Sequence, residues 1–272
     1  MPFRIPTTCG QEESLPWIKA SPLDNPTTTM GVAARMFLEL FFFRSLFRNI
    51  RMDMTDERPV YGSAKWLWLF GLMFHWSLFF IVVRHLRFFL EPVPGLINGL
   101  SLVDGFFEIG VPTLYLTDAA LLVSASFLFL RRITIPLWRY ISYMADYFAL
   151  LLIMGIAVTG LWMRHIAPVD LLQIKTLVMS WPALSPVVPK DAGPVFHVHL
   201  FLVCILFAWF PFSKLMHMPG IFLSPTRNLA NDSRMRRHIN PWDCPVKVHT
   251  YEEYEDEFHD KMKAADLPVE KE

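Results

Sequence analysis

Cysteine is scarce in this 272-residue chain, and its copies lie far apart in the sequence. Only three occur, Cys9, Cys204 and Cys244, and none belongs to a CxxC or CxxCH motif. Iron–sulfur clusters and structural zinc sites need closely spaced cysteine ligands, and covalent c-type haem needs CxxCH. The sequence contains no framework for these sites, so any haem in this chain must be held by histidine alone.

An excess of charge of either sign is also missing. The chain has 25 basic and 25 acidic residues, so no global electrostatic field favours nucleic acid as a partner. Neither a glycine-rich phosphate-binding loop nor a GxSxG nucleophile elbow is present. Nucleotide hydrolysis and serine hydrolase chemistry therefore lack a starting point.

Long apolar stretches dominate what is present. Hydrophobic residues make up 53% of the chain and aromatic residues 15%. This hydrophobic fraction is higher than in an ordinary soluble domain and indicates that much of the chain lies in membrane lipid. Helices of roughly 20 apolar residues cross the hydrocarbon core of a bilayer. We predict an all-α membrane protein with a four-transmembrane-helix bundle. Its four spans are residues 65–90, 111–130, 143–163 and 194–216.

The segments on either side of this 65–220 membrane domain differ from it in composition. Residues 1–64 begin as an extended Pro/Thr-rich segment, and residues 30–49 form a helix interrupted by charges. On one helical wheel Arg35 and Glu39 lie opposite Arg44 and Arg48, which favours an interfacial helix with snorkelling arginines or a docking helix for a partner. Residues 221–272 form a tail with an acidic end that is either solvated or docks a partner.

The distribution of lysine and arginine predicts the orientation in the membrane. Basic residues cluster before the first span, in the loop 131–142 and in the tail, whereas the loops 91–110 and 164–193 have fewer. Basic loops stay on the cytoplasmic side. We therefore expect a multi-pass protein of the cytoplasmic membrane with both termini in the cytoplasm.

Two of the predicted spans each carry a pair of histidines. His75 and His85 lie in the first span, and His199 and His217 in or just after the fourth. Because an ionisable group inside lipid needs a partner, and because two neutral imidazoles complete the coordination of a b-type haem iron, we predict two haem b groups. Orientation pairs His75 with His217 at an inner haem, and His85 with His199 at an outer haem.

The axial spacing of the two pairs does not match. The rise along a helix is about 15 Å between the first pair and about 27 Å between the second, although eighteen residues, at five whole turns, place His199 and His217 on one face. A tilt or a bend at Pro211 must absorb the difference. His197 is expected to face away from this site, and His165 to be interfacial.

Charged residues near the outer haem supply further candidates. Arg84 and Arg87 flank His85 and could pair with haem propionates, although snorkelling explains them equally. Asp104 and Glu108 in the outer loop, and Asp118 roughly 10 Å into the second span, are candidates for quinone binding and proton exchange. Asp118 has no cation nearby in its own helix, so the alternative is a hydrogen bond inside the bundle.

The motifs resemble a known family. The histidine spacings together with FAWFPFSKLMH resemble the gamma subunit of respiratory nitrate reductase, over about residues 65–220. The flanking stretches PFRIPTTCGQ, DNPTTTMGVAARMFLELFFFRSLFRN and NPWDCPVKVHTYEEYE are similar to DsrM-type cytochrome b subunits of DsrMKJOP complexes, which are also related to the Hme complex.

This resemblance implies a di-haem cytochrome b that exchanges electrons with menaquinone in dissimilatory sulfur metabolism. It implies a cytoplasmic iron–sulfur partner resembling DsrK, which is similar to the catalytic subunit of heterodisulfide reductase. It also implies other subunits of a DsrMKJOP-like complex and a DsrC trisulfide as the end substrate.

Family members commonly have a further membrane helix ahead of PFRIPTT, which we expect to be absent or supplied by another chain. The lysine that nitrate reductase gamma subunits carry after the first histidine helix has no counterpart in residues 91–130. The rival reading is a non-redox membrane anchor or transporter with structural histidines.

Overall fold

Helices form nearly all of the regular structure. The computed structural model describes residues 21–55, 58–105, 114–190, 192–231, 245 and 248–271. Its elements are α1 (Thr29–Phe42), α2 (Arg44–Phe47), β1 (Ile50–Thr55), β2 (Arg58–Ser63), α3 (Lys65–His85), α4 (Gly95–Asp104), α5 (Leu116–Thr134), α6 (Pro136–Ile141), α7 (Met144–His165), α8 (Leu171–Ser180), α9 (Gly193–Trp209), α10 (His217–Gly220), α11 (Pro225–Asn228) and α12 (Tyr251–Ala264).

Three helices among the described residues are long and apolar enough to cross a membrane. They are α3 with the 3-10 turn that follows it (Lys65–Phe88), α7 (Met144–His165), and α9 with its own 3-10 turn (Gly193–Phe212). The helix α5 is not among them, and it carries Asp118 in its first turn and Arg131 and Arg132 in its last. The chain is thus a multi-pass membrane protein, and the predicted count of four spans remains a prediction.

The four long helices pack in a row. The helix α3 packs on α5, α5 on α7, and α7 on α9. Phe74, Leu121, Ala125 and Ile153 form the buried apolar core of the first three helices. Within the described ranges, α3 and α9 are not packed on each other along their lengths. The helices α3 and α9, which carry three of the paired histidines, are therefore joined through α5 and α7.

The two ends of this bundle carry different structures. We call the end that holds His75, His217 and the terminal segments the terminal end. We call the end that holds His85, His199, α4 and α8 the loop end. The predicted loops 91–110 and 164–193 thus each contain a helix, and α8 packs against the 3-10 turn after α3.

The last histidine helix is broken rather than bent. It ends at Trp209, Pro211 lies in a 3-10 turn, and Ser213 is extended (φ −117°, ψ 169°) before a new turn begins. His199 and His217 therefore do not lie on one face of one helix, and the prediction from their eighteen-residue spacing was wrong. The extended residue Ser213 interrupts the helix between them. A change in the path of the helix was expected at Pro211. The structure shows that α9 ends there instead of bending.

The segment 30–49 is two helices instead of one. The helix α1 ends at Phe43, which adopts a left-handed conformation (φ 51°), so the single helical wheel drawn through Arg44 and Arg48 was wrong. Arg35 and Glu39 are the buried residues of α1. Arg35 does not snorkel: its guanidinium donates to the backbone carbonyls of Asp24 (3.0 Å), Leu229 (3.1 Å) and Arg227.

The terminal segments are thereby joined. Glu39 accepts hydrogen bonds from the backbone N–H and the hydroxyl of Ser45 and forms an ion pair with Arg227 (3.2 Å). The backbone N–H of Asn231 donates to the carbonyl of Pro26 (2.8 Å). The amino-terminal segment and the start of the tail therefore form one layer at the terminal end.

Two further elements lie outside the bundle. Residues 51–63 contribute most of an antiparallel strand pair, β1–β2, with Met52 opposite Tyr61. The acidic tail forms α12, which begins with a capping box between Thr250 and Glu253. Residues after α12 fold back on it, since the N–H of Lys271 donates to Glu255 (2.8 Å), which is almost fully buried.

Candidate metal centre

The structure brings the four histidines together in the two pairs that the sequence predicts. At the terminal end the ring centroids of His75 and His217 lie 5.8 Å apart with perpendicular planes. At the loop end His85 and His199 lie within electrostatic range of each other. Their roles as ligands stay a prediction, but each pair joins α3 to the α9 side of the bundle.

Three of these four imidazoles are oriented by their own helix or turn. In each ring Nδ1 lies 2.7 Å from a backbone carbonyl three or four residues earlier. The bonds are His75 to Gly71, His85 to Ile81 and His217 to Lys214. A carbonyl only accepts, so Nδ1 carries the proton and Nε2 has a free lone pair. This is the tautomer that a metal-ligating histidine needs.

His199 reaches the same tautomer through a different helix. Its Nδ1 lies 2.9 Å from the hydroxyl oxygen of Thr159 on α7. That hydroxyl is also 2.8 Å from the carbonyl of Gly155 and 3.0 Å from that of Ile156. The single hydroxyl proton is donated to a carbonyl, so the oxygen accepts from Nδ1–H of His199.

The residues fit a haem iron better than a bare metal ion. No group of three or more His, Cys, Asp or Glu among the described residues could hold a metal ion. The ring centroids of His75 and His217 lie 5.8 Å apart, so one iron could be reached by both rings. His75, His85 and His217 are also exposed on their helices, so a large flat group can reach them.

The remaining membrane histidines do not join either pair. Nδ1 of His197 bonds to the carbonyl of Gly193 (2.8 Å), and its ring contacts Phe196. His165 is exposed at the last position of α7. Both placements agree with the expectation that these two are not ligands.

Residues that the sequence analysis missed surround the terminal pair. The ring of Phe43 meets His75 edge-on with centroids 5.0 Å apart. Asp146, at the start of α7, bonds to the ammonium of Lys214 (2.8 Å), whose carbonyl holds His217. A cavity of about 350 Å³ opens beside this histidine. Its lining is Glu39, Phe43, Ser45, Leu46, His217, Ile221, Ser224 and Arg227.

At the loop end three of the predicted charged residues, Arg84, Asp104 and Asp118, form one network. Arg84 lies between two carboxylates, 2.6 Å from Asp118 and 3.3 Å from Asp104. Thr117 donates its hydroxyl (2.6 Å) and its backbone N–H (2.9 Å) to Asp104. Asp118 lies in the first turn of α5, so its predicted depth of 10 Å was wrong. Its cation comes from α3.

An aromatic ring completes this network. The guanidiniums of Arg84 and Arg164 lie over the ring of Tyr115, at 3.8 Å and 4.0 Å from its centroid. Such cation–π contacts hold arginine side chains in place when the site is desolvated. No motif in the sequence indicates Tyr115 or Arg164 as part of this network, because neither lies on α3 with Arg84. Glu108, the remaining predicted acid, lies outside the described residues.

A second cavity lies at the same end of the bundle. It has a volume of about 310 Å³ and is lined by Arg87, Phe88, Val93, Asn98, Leu171, Leu172 and Lys175. Phe88 contacts the ring of His85 (5.9 Å), and Arg87 donates to the hydroxyl of Ser101 (2.6 Å). The buried Nε–H of Arg87 has no hydrogen-bond partner in the described part of the chain. Lys175 on α8 forms an ion pair with Glu91, so a lysine reaches the segment after α3 from a distant part of the sequence.

Comparisons with known proteins identify the family of this chain. The family model described as nitrate reductase gamma subunit matches residues 47–237. The chain is 44% identical over 250 residues to an Hdr-like menaquinol oxidoreductase cytochrome b-like subunit of Archaeoglobus fulgidus, covering 89% of this chain and 75% of that protein. It is 39% identical over 252 residues to the protein of the same name from Archaeoglobus profundus, covering 89% and 74%. The resemblance noted in the sequence is thus confirmed, and the chain belongs to the nitrate reductase gamma subunit family.

Proposed function

We propose that this chain is a di-haem cytochrome b that transfers electrons between menaquinone and a cytoplasmic iron–sulfur subunit in sulfur metabolism. The observation that carries the proposal is the pairing of the four histidines. The ring of His75 lies beside that of His217, and His85 lies within electrostatic range of His199. In each of these rings Nδ1 is bonded to an acceptor and Nε2 is free. The names of the similar proteins support the quinone and the complex.

In this proposal the chain supplies the nitrogen donors. His75 and His217 would hold one haem, and His85 and His199 would hold the other. When bound, haem supplies one-electron chemistry at its iron. The histidines provide neutral nitrogen donors, and their Nδ1 bonds keep each ring from rotating.

The cavity at the loop end is the proposed site for the quinone head group. Its volume of about 310 Å³ lies in the range of small-molecule sites, which combine apolar walls with a few polar groups. The polar groups here are Arg87, Asn98 and Lys175, and the walls are Phe88, Val93, Leu171 and Leu172. The guanidinium of Arg87, which lines the cavity, is the proposed donor for a quinone oxygen.

The adjacent acids are proposed to exchange the protons. Oxidation of a menaquinol releases two electrons and two protons, so a base is needed near the head group. Asp104 and Asp118 share one guanidinium, Arg84, and the three groups carry one net negative charge when both acids are ionised. That charge can be neutralised by one proton without breaking the network. We propose this role for Asp104 and Asp118, with Glu108 as a further acid.

The terminal end is the proposed docking side for the iron–sulfur partner, and we place it in the cytoplasm. The basic residues before α3 and in the tail favour that orientation. The joined layer of α1 and the tail borders the cavity beside His217, since Glu39 and Arg227 also line that cavity. The acidic helix α12 is proposed as a further part of the docking surface. A partner docked here would lie close to the haem between His75 and His217.

A visible spectrum tests the central claim. Purified protein should give a reduced-minus-oxidised spectrum typical of low-spin haem b, and a pyridine haemochrome assay should give two haems per chain. Absence of haem from protein produced in a haem-sufficient host would refute the proposal. Reduction of the haem by a menaquinol analogue then tests the link to quinone.

A further inference from the structure

His199 differs from the other three paired histidines in the group that orients its ring. The other three use a backbone carbonyl of their own segment, whereas His199 on α9 uses the side chain of Thr159 on α7, at 2.9 Å. A side chain can be replaced by substitution, and a backbone carbonyl cannot. The closest acceptor for the Nδ1–H of His199 therefore belongs to a residue that lies forty positions away in the sequence, and the carbonyl of Ile156 on the same helix α7 also lies near the ring.

The close approach of α7 to α9 makes this bond available. A Cβ placed on Gly160 would lie 3.5 Å from Cε1 of His199, and one on Gly155 would lie 3.4 Å from Leu202. The ring of His199 thus lies against Gly160, beside the Thr159 hydroxyl. Small residues at helix contacts in membranes allow such approach. The glycine and the threonine together leave the ring one well-defined position.

We propose that Thr159 is a positioning residue that fixes the tautomer of His199 and tunes the reduction potential of the iron bound there. The inference rests on the proposed function, since it concerns a haem ligand. Thr159 does not contact the metal position itself. It acts through the Nδ1–H of His199.

The direction of the effect follows from the acceptor. An imidazole that donates its Nδ1–H to an acceptor is a more basic ligand, and a more basic ligand favours ferric over ferrous iron. Removing the hydroxyl removes the acceptor, so the midpoint potential of that haem should rise. It also takes away the closest acceptor of that N–H, which favours rotation of the ring and weaker binding of the haem.

The test compares three substitutions at Thr159 with one elsewhere. Thr159→Val keeps the shape and removes the acceptor, Thr159→Ser keeps the acceptor, and Thr159→Ala removes both hydroxyl and methyl. Thr134→Val is the matched control, because the Thr134 hydroxyl makes the same bond to a carbonyl four residues earlier (2.9 Å) without a histidine. Redox titration and low-temperature EPR of the purified haem-loaded protein give a potential and a signal for each haem.

The expected result is an upward shift in the potential of one haem, with a change in its low-spin EPR signal, in Thr159→Val and Thr159→Ala. Thr159→Ser and Thr134→Val should match the wild type. Loss of one haem in Thr159→Val, restored in Thr159→Ser, would support the proposal equally. No shift, equal shifts in both haems, loss of both haems, or failure of serine to rescue would overturn it. Absence of haem from the wild type would instead refute the proposed function, so the two failures are distinguishable.

Discussion

Lys214 and Asp146 connect the start of α7 to the segment that presents His217. The Lys214 ammonium lies 2.8 Å from one carboxylate oxygen of Asp146, while the Lys214 carbonyl accepts the Nδ1–H of His217. Asp146 also accepts from the backbone N–H of Tyr143 (3.0 Å), as part of the capping box of α7. One carboxylate therefore caps a helix and fixes the short turn that precedes a histidine of the candidate site.

Replacing Asp146 should separate these two roles. Asp146→Ala removes the cap and the ion pair and should lower stability by about 1 kcal/mol. Asp146→Asn keeps an oxygen for the cap and should cost less, since an ion pair with an exposed lysine contributes below about 1 kcal/mol. Thermal unfolding in detergent measures both. If the two variants unfold at the same temperature, the cap has no separate contribution.

The histidine pairs should lose haem in a defined pattern. His75→Ala and His217→Ala should each remove one and the same haem, and His85→Ala and His199→Ala should each remove the other, because an iron with one imidazole binds less tightly. Haem content and EPR signals identify the haem that is lost. His197→Ala is the matched control, two residues from His199 and bonded to its own helix, and it should retain both haems. Loss of the same haem from His75→Ala and His85→Ala would contradict the pairing.

The network at the loop end should respond unequally to removal of its members. Arg84→Met leaves Asp104 and Asp118 buried without their cation, which should cost about 3–5 kcal/mol. Asp118→Asn leaves Arg84 paired with Asp104 and should cost clearly less. Thermal unfolding tests this order. Equal losses of stability in the two variants would show that the ion pair with Asp104 does not satisfy Arg84 when Asp118 is neutral.

Proton exchange in the same network should be visible kinetically. The combined Asp104→Asn and Asp118→Asn protein should retain both haems but be reduced more slowly by a menaquinol analogue, because the base near the head group is lost. Stopped-flow absorbance at the haem band measures the rate. An unchanged rate across pH 6–8 would remove both acids from the proton path.

The terminal layer should show a specific response to pH. The side chain of Asp24 bonds to Arg44 and Arg48 at 2.5 Å each, and these bonds, that of Arg44 foremost, hold the pKa of Asp24 well below its usual value. A depressed carboxylate pKa contributes stability above the unfolded pKa of about 4, and this stability is lost as the pH falls below that value. Wild type should therefore resist limited proteolysis of residues 21–47 better than Asp24→Asn from pH 7.5 to pH 5. Equal digestion of the two proteins at pH 7 would contradict this assignment.

Removal of residues 240–272 tests the docking surface. The truncated protein should keep both haems and their reduction by quinol, since none of the paired histidines lies in the tail. Reoxidation by the partner should be lost if α12 carries the contact. Co-purification with the partner and normal turnover would place the docking surface on α1, α2 or the loop around Arg139 instead.

The sequence by itself determined the properties that depend on composition and local order. Apolar runs without charge predict α3, α7 and α9, because a helix is the way to satisfy backbone groups in lipid. The histidines in these runs, read with the arginine distribution, predicted which residues would meet. The position at which α9 ends was also predicted, as a bend at Pro211, because proline cannot continue the hydrogen bonding of a helix.

Tertiary structure decided which polar groups meet one another. Arg84 and Asp118 are separated by 34 positions, Thr159 and His199 by 40, and Arg35 and Leu229 by 194. A buried polar group must find a partner, but the sequence does not say which partner, because helix packing sets the distance between side chains of different helices. For the same reason Arg35 could not be told from a snorkelling arginine. Its burial depends on a tail segment that packs beside it only after folding.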